Sequence, residues 1–306
     1  MELGYVPKLW RVSKAIFIPK QGKEDYSQPR AWRPISLMSF AFKTLERLIL
    51  WYLEETVLKE YSMHKNQHAF RKGRSTESAL SDTVDILESE VLRKGVAIGV
   101  FLDIEGAFDN LLPGGIIRSL QTRNTPQFLL SWFQNYLVTR NVQVDHKGVL
   151  ANRRLVKGTP QGGVLSPVLW NLAFDEVLSL VEGTSIKACG YADDLALIGR
   201  GPDPKTTLHN MQQVLNSVTN WGREQGLRFS AGKSVAIAFT HKRKWDEIPL
   251  HLNQIALEWQ DRVKYLGVTL DSKLNWIANL REKTTKAIRL LFRYKQIVGK
   301  EFGPQP

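Results

Sequence analysis

Cysteine is almost missing from this chain: Cys189 is the only one among 306 residues, so no disulfide can close within it and no cysteine-rich zinc site can form. Histidine does not make up the shortfall, since His64, His68, His146, His209 and His251 fall at no paired metal-ligand spacing. Long apolar runs are lacking too. None approaches the ~18 residues of a membrane helix, and no secretory leader pattern opens the chain. No low-complexity tract or fixed-period repeat is present. A disulfide scaffold, a membrane span and a repeat array are thereby excluded. The expectation is a soluble intracellular protein, in the nucleus and/or the cytoplasm, with no membrane partner and a small buried role for Cys189.

Acidic charge is the next shortage. Lys and Arg number 42 against 30 Asp and Glu, giving a net charge of +12. The resulting pI of about 9.7 exceeds the value of about 9 that marks nucleic-acid-binding domains. Basic residues alternate with aromatics in Trp10-Arg11-Val12-Ser13-Lys14 and Arg30-Ala31-Trp32-Arg33, a mixture suited to phosphate contact and base packing. A polyanionic partner is expected. Hydrophobic residues make up 43% and charged residues 24%, which is ordinary globular usage and supports a packed core.

Apolar patterning supplies the elements. Ala15-Ile16-Phe17-Ile18-Pro19 reads as a short strand ended by proline. Phe42, Leu45, Leu48, Ile49, Tyr52, Leu53 and Val57 recur at helical spacing behind a candidate N-cap, Ser39. Further helices are predicted over 75–92, 166–182 and 206–225, a hairpin over 135–156 and a strand over 235–240. Residues 262–270 read as one strand with a central glycine bend. From Trp276 onward a basic amphipathic helix runs to a stop at Gly303-Pro304-Gln305-Pro306. Strands and helices mix without strict βαβ alternation.

Two carboxylate positions carry the chemistry. The run Val96-Ala97-Ile98-Gly99-Val100-Phe101-Leu102 is short, apolar and partly β-branched, the pattern of a fully buried strand, and it delivers Asp103 at its end. Gly190-Tyr191-Ala192-Asp193-Asp194-Leu195 lies between two apolar runs, which puts adjacent carboxylates at a hairpin tip. Adjacent like charges raise each other's pKa and call for a compensating cation. If Asp103 and Asp193 converge, they offer two or three oxygens to Mg²⁺ ions that also bind phosphate, the requirement of two-metal phosphoryl transfer.

Phe101-Leu102-Asp103-Ile104-Glu105-Gly106-Ala107-Phe108-Asp109, Gly158-Thr159-Pro160-Gln161-Gly162-Gly163-Val164-Leu165-Ser166-Pro167 and Tyr191-Ala192-Asp193-Asp194 resemble successive motifs of reverse transcriptases, in the family's order and spacing. Ile18-Pro19-Lys20, Arg33-Pro34-Ile35-Ser36-Leu37 and Gln67-His68-Ala69-Phe70-Arg71-Lys72-Gly73-Arg74-Ser75-Thr76 resemble its fingers motifs. Residues 227–234 and Tyr265-Leu266-Gly267-Val268 resemble its last palm motifs. The habitual forms are those of non-LTR, LINE-type, jockey-like retrotransposons, and the likeness covers nearly the whole chain. It implies an α+β right-hand polymerase fold. The expected division is 1–95 fingers, 96–111 palm with the first aspartate, 112–157 fingers/palm connection, 158–270 palm, and 271–306 the start of a truncated thumb.

The resemblance also implies roles. Asp103, Asp193 and Asp194, with the backbone carbonyl of Ile104, would hold two Mg²⁺ ions, Mn²⁺ being a possible substitute. Lys233 would protonate the leaving pyrophosphate. Lys20 and Arg33 would grip the incoming triphosphate, Arg33 through a bidentate fork on a backbone fixed by Pro34. Phe108 would bar a ribose 2′-hydroxyl. Gln161 and Gly162 would contact nucleotide or template, with Gly158, Gly162 and Gly163 permitting close approach. Tyr265, Leu266 and Gly267 would form the primer grip. Partners would be an RNA template, a DNA primer and deoxynucleoside triphosphates. A non-catalytic nucleic-acid-binding remnant of such a protein is the alternative expectation.

Overall fold

The computed structural model describes residues 4–242, 245 and 248–297. The chain opens with β1 (Val12–Pro19) and β2 (Trp32–Leu37), followed by α1 (Phe40–Glu55), α2 (Val57–Glu60) and α3 (Thr76–Leu92). Next come β3 (Ala97–Glu105), α4 (Ala107–Asn110), α5 (Pro113–Gln121), α6 (Gln127–Val138) and the pair β4 (Arg140–His146) and β5 (Val149–Leu155). Helix α7 (Ser166–Val181) precedes β6 (Ile186–Tyr191), β7 (Asp194–Arg200) and α8 (Pro204–Glu224). The rest comprises β8 (Arg228–Phe229), β9 (Val235–Phe239), β10 (His251–Leu252), β11 (Ile255–Ala256), β12 (Glu258–Trp259), β13 (Arg262–Tyr265), β14 (Val268–Asp271) and α9 (Ile277–Ile297).

The centre is a six-stranded sheet in the order β12-β9-β3-β7-β6, with β8 paired to the far end of β3. Its strands are antiparallel except where β12 joins β9. Period-two alternation sends the side chains of β3 to opposite faces. Ile98, Val100, Leu102 and Ile104 pack in the larger core with α7 and α8, whereas Ala97 and Phe101 pack in the smaller core with α3, β13 and β14. A layer on each face explains why β3 reads as an unbroken apolar run. At Gly99 an added Cβ would meet the rings of Phe239 and Phe101, so these aromatics fill the space a side chain would need.

A second sheet, β2-β1-β4-β5, combines the antiparallel pairs β1–β2 and β4–β5 through a short parallel contact of Val12 to Lys14 with Asn141 to Gln143. The cap at Ser39 matches the sequence reading. Ser39 Oγ accepts from Phe42 N at 3.2 Å, and Ser75 and Ser78 form a reciprocal capping box at the start of α3. Each such cap stabilises its helix by about 1 kcal/mol. Pro167 occupies the first turn of α7, where its missing N–H costs nothing.

Two expectations need correction. The predicted hairpin at 135–156 begins only at Arg140, because Tyr136 and Leu137 stay helical and buried among the α6 aromatics. Residues 262–270 are two antiparallel strands, β13 and β14, since Leu266 and Gly267 have φ of 47° and 80° and reverse the chain in two residues. The stop expected at Gly303-Pro304-Gln305-Pro306 lies outside the described residues. Among the described residues no helix is long and apolar enough to cross a membrane.

Candidate active site

Antiparallel register brings the aspartates together. Asp103 near the end of β3 stands directly opposite Asp194, the first residue of β7. Directly opposed residues have Cβ atoms about 5 Å apart. Tyr191 pairs with Asp194, so Ala192 and Asp193 alone make the turn, with Ala192 at φ 55°. Trp170 on α7 holds that turn by donating Nε1–H to the Ala192 carbonyl at 2.8 Å.

Crowding of protein and charge alters these acids. Desolvation pushes the Asp194 carboxyl up to about 6, and the negative charges of Asp193 and Asp103 add to the effect. Desolvation and then Asp103 raise Asp193 as well, against the opposing positive charges of Arg33 and Lys233. Lys233 Nζ donates to Asp103 Oδ2 at 3.1 Å. That exposed ion pair adds little stability, which leaves the lysine free to exchange partners. The backbone of Asp103 is pinned from the same loop: its N–H donates to Ser234 Oγ at 3.1 Å and its carbonyl accepts from Ser230 N at 2.9 Å.

The donor set tests whether a metal suits this place. It is composed of carboxylate oxygens, with the buried Ile104 able to offer only its backbone carbonyl, and its acids repel one another. Both properties fit a hard divalent cation. Among the described residues no three acidic, histidine or cysteine side chains close around one point.

A second cluster adjoins the first. Phe108 on α4 packs against Trp170 and Phe70, with ring centroids 5.2 and 6.3 Å apart. Gln161 Nε2 donates to both oxygens of Asp109, at 2.9 and 3.0 Å, and the charges of Lys20 and Lys157 also reach that carboxylate. Gln161 is tied to the second sheet as well, its carbonyl accepting from Ser36 N at 2.8 Å. Gly162 has φ +103°, and a Cβ there would meet the Ser36 carbonyl at 3.1 Å. Gly158 is tighter still, because a Cβ would sit 2.6 Å from the Asp109 carbonyl.

The predicted residues thus form three groups. Asp103, Asp193, Asp194 and Lys233 meet, with Arg33 exposed on β2 within electrostatic reach of Asp193. Lys20, Phe108 and Gln161 lie around or beside Asp109, with Gly162 against Ser36. Tyr265 is buried beneath the sheet, donating its hydroxyl to Cys189 Sγ at 3.5 Å and packing on Phe101, while Leu266 and Gly267 form a turn. Lys283 on α9 donates to the Gly267 carbonyl at 2.7 Å.

Sequence reasoning gave no role to Asp109, Trp170 or Arg140. Arg140 is buried and donates to the carbonyls of Lys157 and Gly158, fixing the start of the glycine loop. Only the first had a signal, its place in the quoted aspartate motif.

Comparison with known proteins agrees with this geometry. The profile described as reverse transcriptase (RNA-dependent DNA polymerase) matches residues 18–270. The chain is 28% identical over 301 residues to the RNA-directed DNA polymerase from mobile element jockey of Drosophila melanogaster, covering 95% of this chain and 32% of that protein. It is 24% identical over 302 residues to the Pol polyprotein from type-1 retrotransposable element R1 of Bradysia coprophila, covering 98% of this chain and 30% of the relative. The chain thus spans about a third of the length of these curated relatives. Apo telomerase from Candida tropicalis truncated from its C-terminal domain superposes with a TM-score of 0.62 at 15% identity, over 89% of this chain and 55% of that one. Telomerase from Candida albicans gives 0.58 at 12% identity, over 88% of this chain and 46% of that one. A central sheet presenting opposed aspartates, a right-hand polymerase fold and a profile match across most of the sequence lead to one conclusion: the chain belongs to the reverse transcriptase (RNA-dependent DNA polymerase) family.

Proposed function

We propose that this chain is the RNA-directed DNA polymerase core of a non-LTR retrotransposon, adding deoxynucleotides to a DNA primer 3′-hydroxyl along an RNA template. The observation that carries the reading is the cross-strand register of Asp103 with Asp194, with Asp193 in the turn between β6 and β7. Asp103, Asp193, Asp194 and the Ile104 carbonyl hold two Mg²⁺ ions, or Mn²⁺ in their place, which when bound make a hydroxyl more acidic and neutralise triphosphate charge.

The chain's own groups do the rest. Arg33 grips phosphate oxygens with its planar fork and Lys20 adds a point charge. Lys233 releases Asp103 and supplies a proton to the departing pyrophosphate. Phe108, backed by Trp170, lies under the sugar and leaves no room for a 2′-hydroxyl. Gln161 and Gly162 line the nucleotide's approach. Leu266 and Gly267 present the primer-gripping turn, anchored from below by Tyr265. The division into fingers, palm and thumb at the boundaries given above belongs to the same reading, as does action in the nucleus, the cytoplasm or both. The net charge of +12 suits template and primer backbones.

Primer extension tests it. The purified chain, given an RNA template, a DNA primer, deoxynucleotides and Mg²⁺, is expected to make DNA whose sequence complements the template. Salt-sensitive RNA binding with no templated product would instead leave a non-catalytic binding protein.

A further inference from the structure

Asp109 has no part in the chemistry proposed above, yet its contacts are specific. Both of its carboxylate oxygens accept from one group, Gln161 Nε2, at 2.9 and 3.0 Å. An ionised carboxylate can only accept hydrogen bonds, so the amide must turn its NH₂ toward Asp109 and its Oε1 away. A glutamine has no intrinsic preference between these two orientations; its partner decides. Lys20 and Lys157 favour the ionised form of Asp109 against desolvation that raises its pKa.

Both ends of the pair are held by backbone. Asp109 N donates to the Gly106 carbonyl at 3.0 Å, and Thr159 N donates to the neighbouring Phe108 carbonyl at 2.7 Å. On the other side, the Gln161 carbonyl accepts from Ser36 N at 2.8 Å. The side-chain pair itself is open to solvent.

We infer that Asp109 is a positioning residue that sets the polarity of Gln161, holding the amide so that its carbonyl oxygen, an acceptor only, faces the incoming nucleotide. The nucleotide group matched to that oxygen is a hydrogen-bond donor, a sugar hydroxyl or an exocyclic amine, and not a phosphate oxygen. The inference rests on the polymerase reading for its substrate.

Nucleotide affinity measured without chemistry tests it. The chain is bound to an RNA template and a dideoxy-terminated DNA primer, and a Mg²⁺–deoxynucleoside triphosphate is titrated in. Asp109→Asn keeps the shape but can donate as well as accept, which frees the amide to flip, and about tenfold weaker binding is expected. Gln161→Glu sets two carboxylates face to face and weakens it further. In the double variant the new amide at position 109 donates to the new carboxylate at position 161, so binding recovers about tenfold over Gln161→Glu alone. A purely structural role would instead shift melting temperature and template affinity together, which are expected to stay at wild-type values. Wild-type nucleotide affinity in Asp109→Asn, or losses that multiply without recovery in the double variant, would overturn the assignment. Repeating the titration with a 3′-deoxynucleotide identifies the donor. A vanished Asp109→Asn penalty supports the role with a sugar hydroxyl, and a persistent one supports it with a base amine. The same preparation on an unblocked primer separates the two claims. Coupled binding without extension would sink the polymerase function alone, whereas extension without coupling would sink the role of Asp109 alone.

Discussion

The two sheets treat similar residues in opposite ways. In the six-stranded sheet, β3 buries Ile98, Val100 and Leu102 almost completely, each at 3% exposure or less. In the four-stranded sheet, β1 leaves Ile16, Phe17 and Ile18 at 44, 50 and 46%, and β5 is open along nearly its whole length. The central sheet is held by packing on both faces, which fixes the backbone that carries Asp103 and Asp194. The four-stranded sheet is held by its ladders and a few links such as Ser36 to Gln161, which leaves it able to shift when it meets a ligand. Asp103 and Asp194 sit on the packed sheet, whereas Arg33 lies on β2 of the open one and Lys20 just after β1.

Hydrogen exchange gives the largest expected contrast. Amides of β3 and β7 should exchange at least about a thousandfold more slowly than those of β5, because local opening spans the range from near zero to the global unfolding free energy. Equal protection in the two sheets, read by mass spectrometry, would remove the distinction between a fixed central sheet and a yielding four-stranded one.

Phe108 lies just beyond β3, on α4. Its ring packs on Trp170 from the palm and on Phe70 from the preceding segment. Phe108→Ala is expected to reduce the preference for deoxynucleotides over ribonucleotides by about a hundredfold, measured as the ratio of kcat/KM values. An unchanged ratio would make the ring a packing residue only.

Acidity offers a smaller test of the palm alone. With its carboxyl raised to about 6, Asp194 keeps its proton below that pH and is ionised above it. Divalent-cation affinity should therefore rise with pH through 6 and level off, falling by about tenfold between pH 7 and pH 5 as protons compete for the site. Calorimetric titration of Mn²⁺ reads this. In Asp194→Asn the step at this pH should disappear, and its persistence would assign the step to another group.

Legibility followed the same division. Residues 96–102 and 195–198 are readable because burial on both faces demands unbroken apolar runs, and Ser39 because capping is local chemistry. The reversal at Leu266-Gly267 was not readable, since leucine at positive φ is rare and the segment's apolar pattern continues across the turn. Strands β8, β10, β11 and β12 have two residues each, too short to show a period. Within the site, Asp103, Asp193 and Asp194 stand out from their apolar flanks, whereas Lys233 is found through motif likeness. The contact of Lys233 with Asp103 spans 130 positions and depends on β8 pairing beside β3. Arg140 has no signal in the sequence, because nothing local reveals that its guanidinium is buried against the carbonyls of the glycine loop.

The central claim is that the palm aspartates perform templated synthesis, and single-turnover extension of a primer on an RNA template by wild type and Asp193→Ala addresses it most directly. At least about a thousandfold loss of rate is expected in the variant, with RNA affinity and melting temperature retained. Extension by Asp193→Ala within about tenfold of wild type would contradict the account.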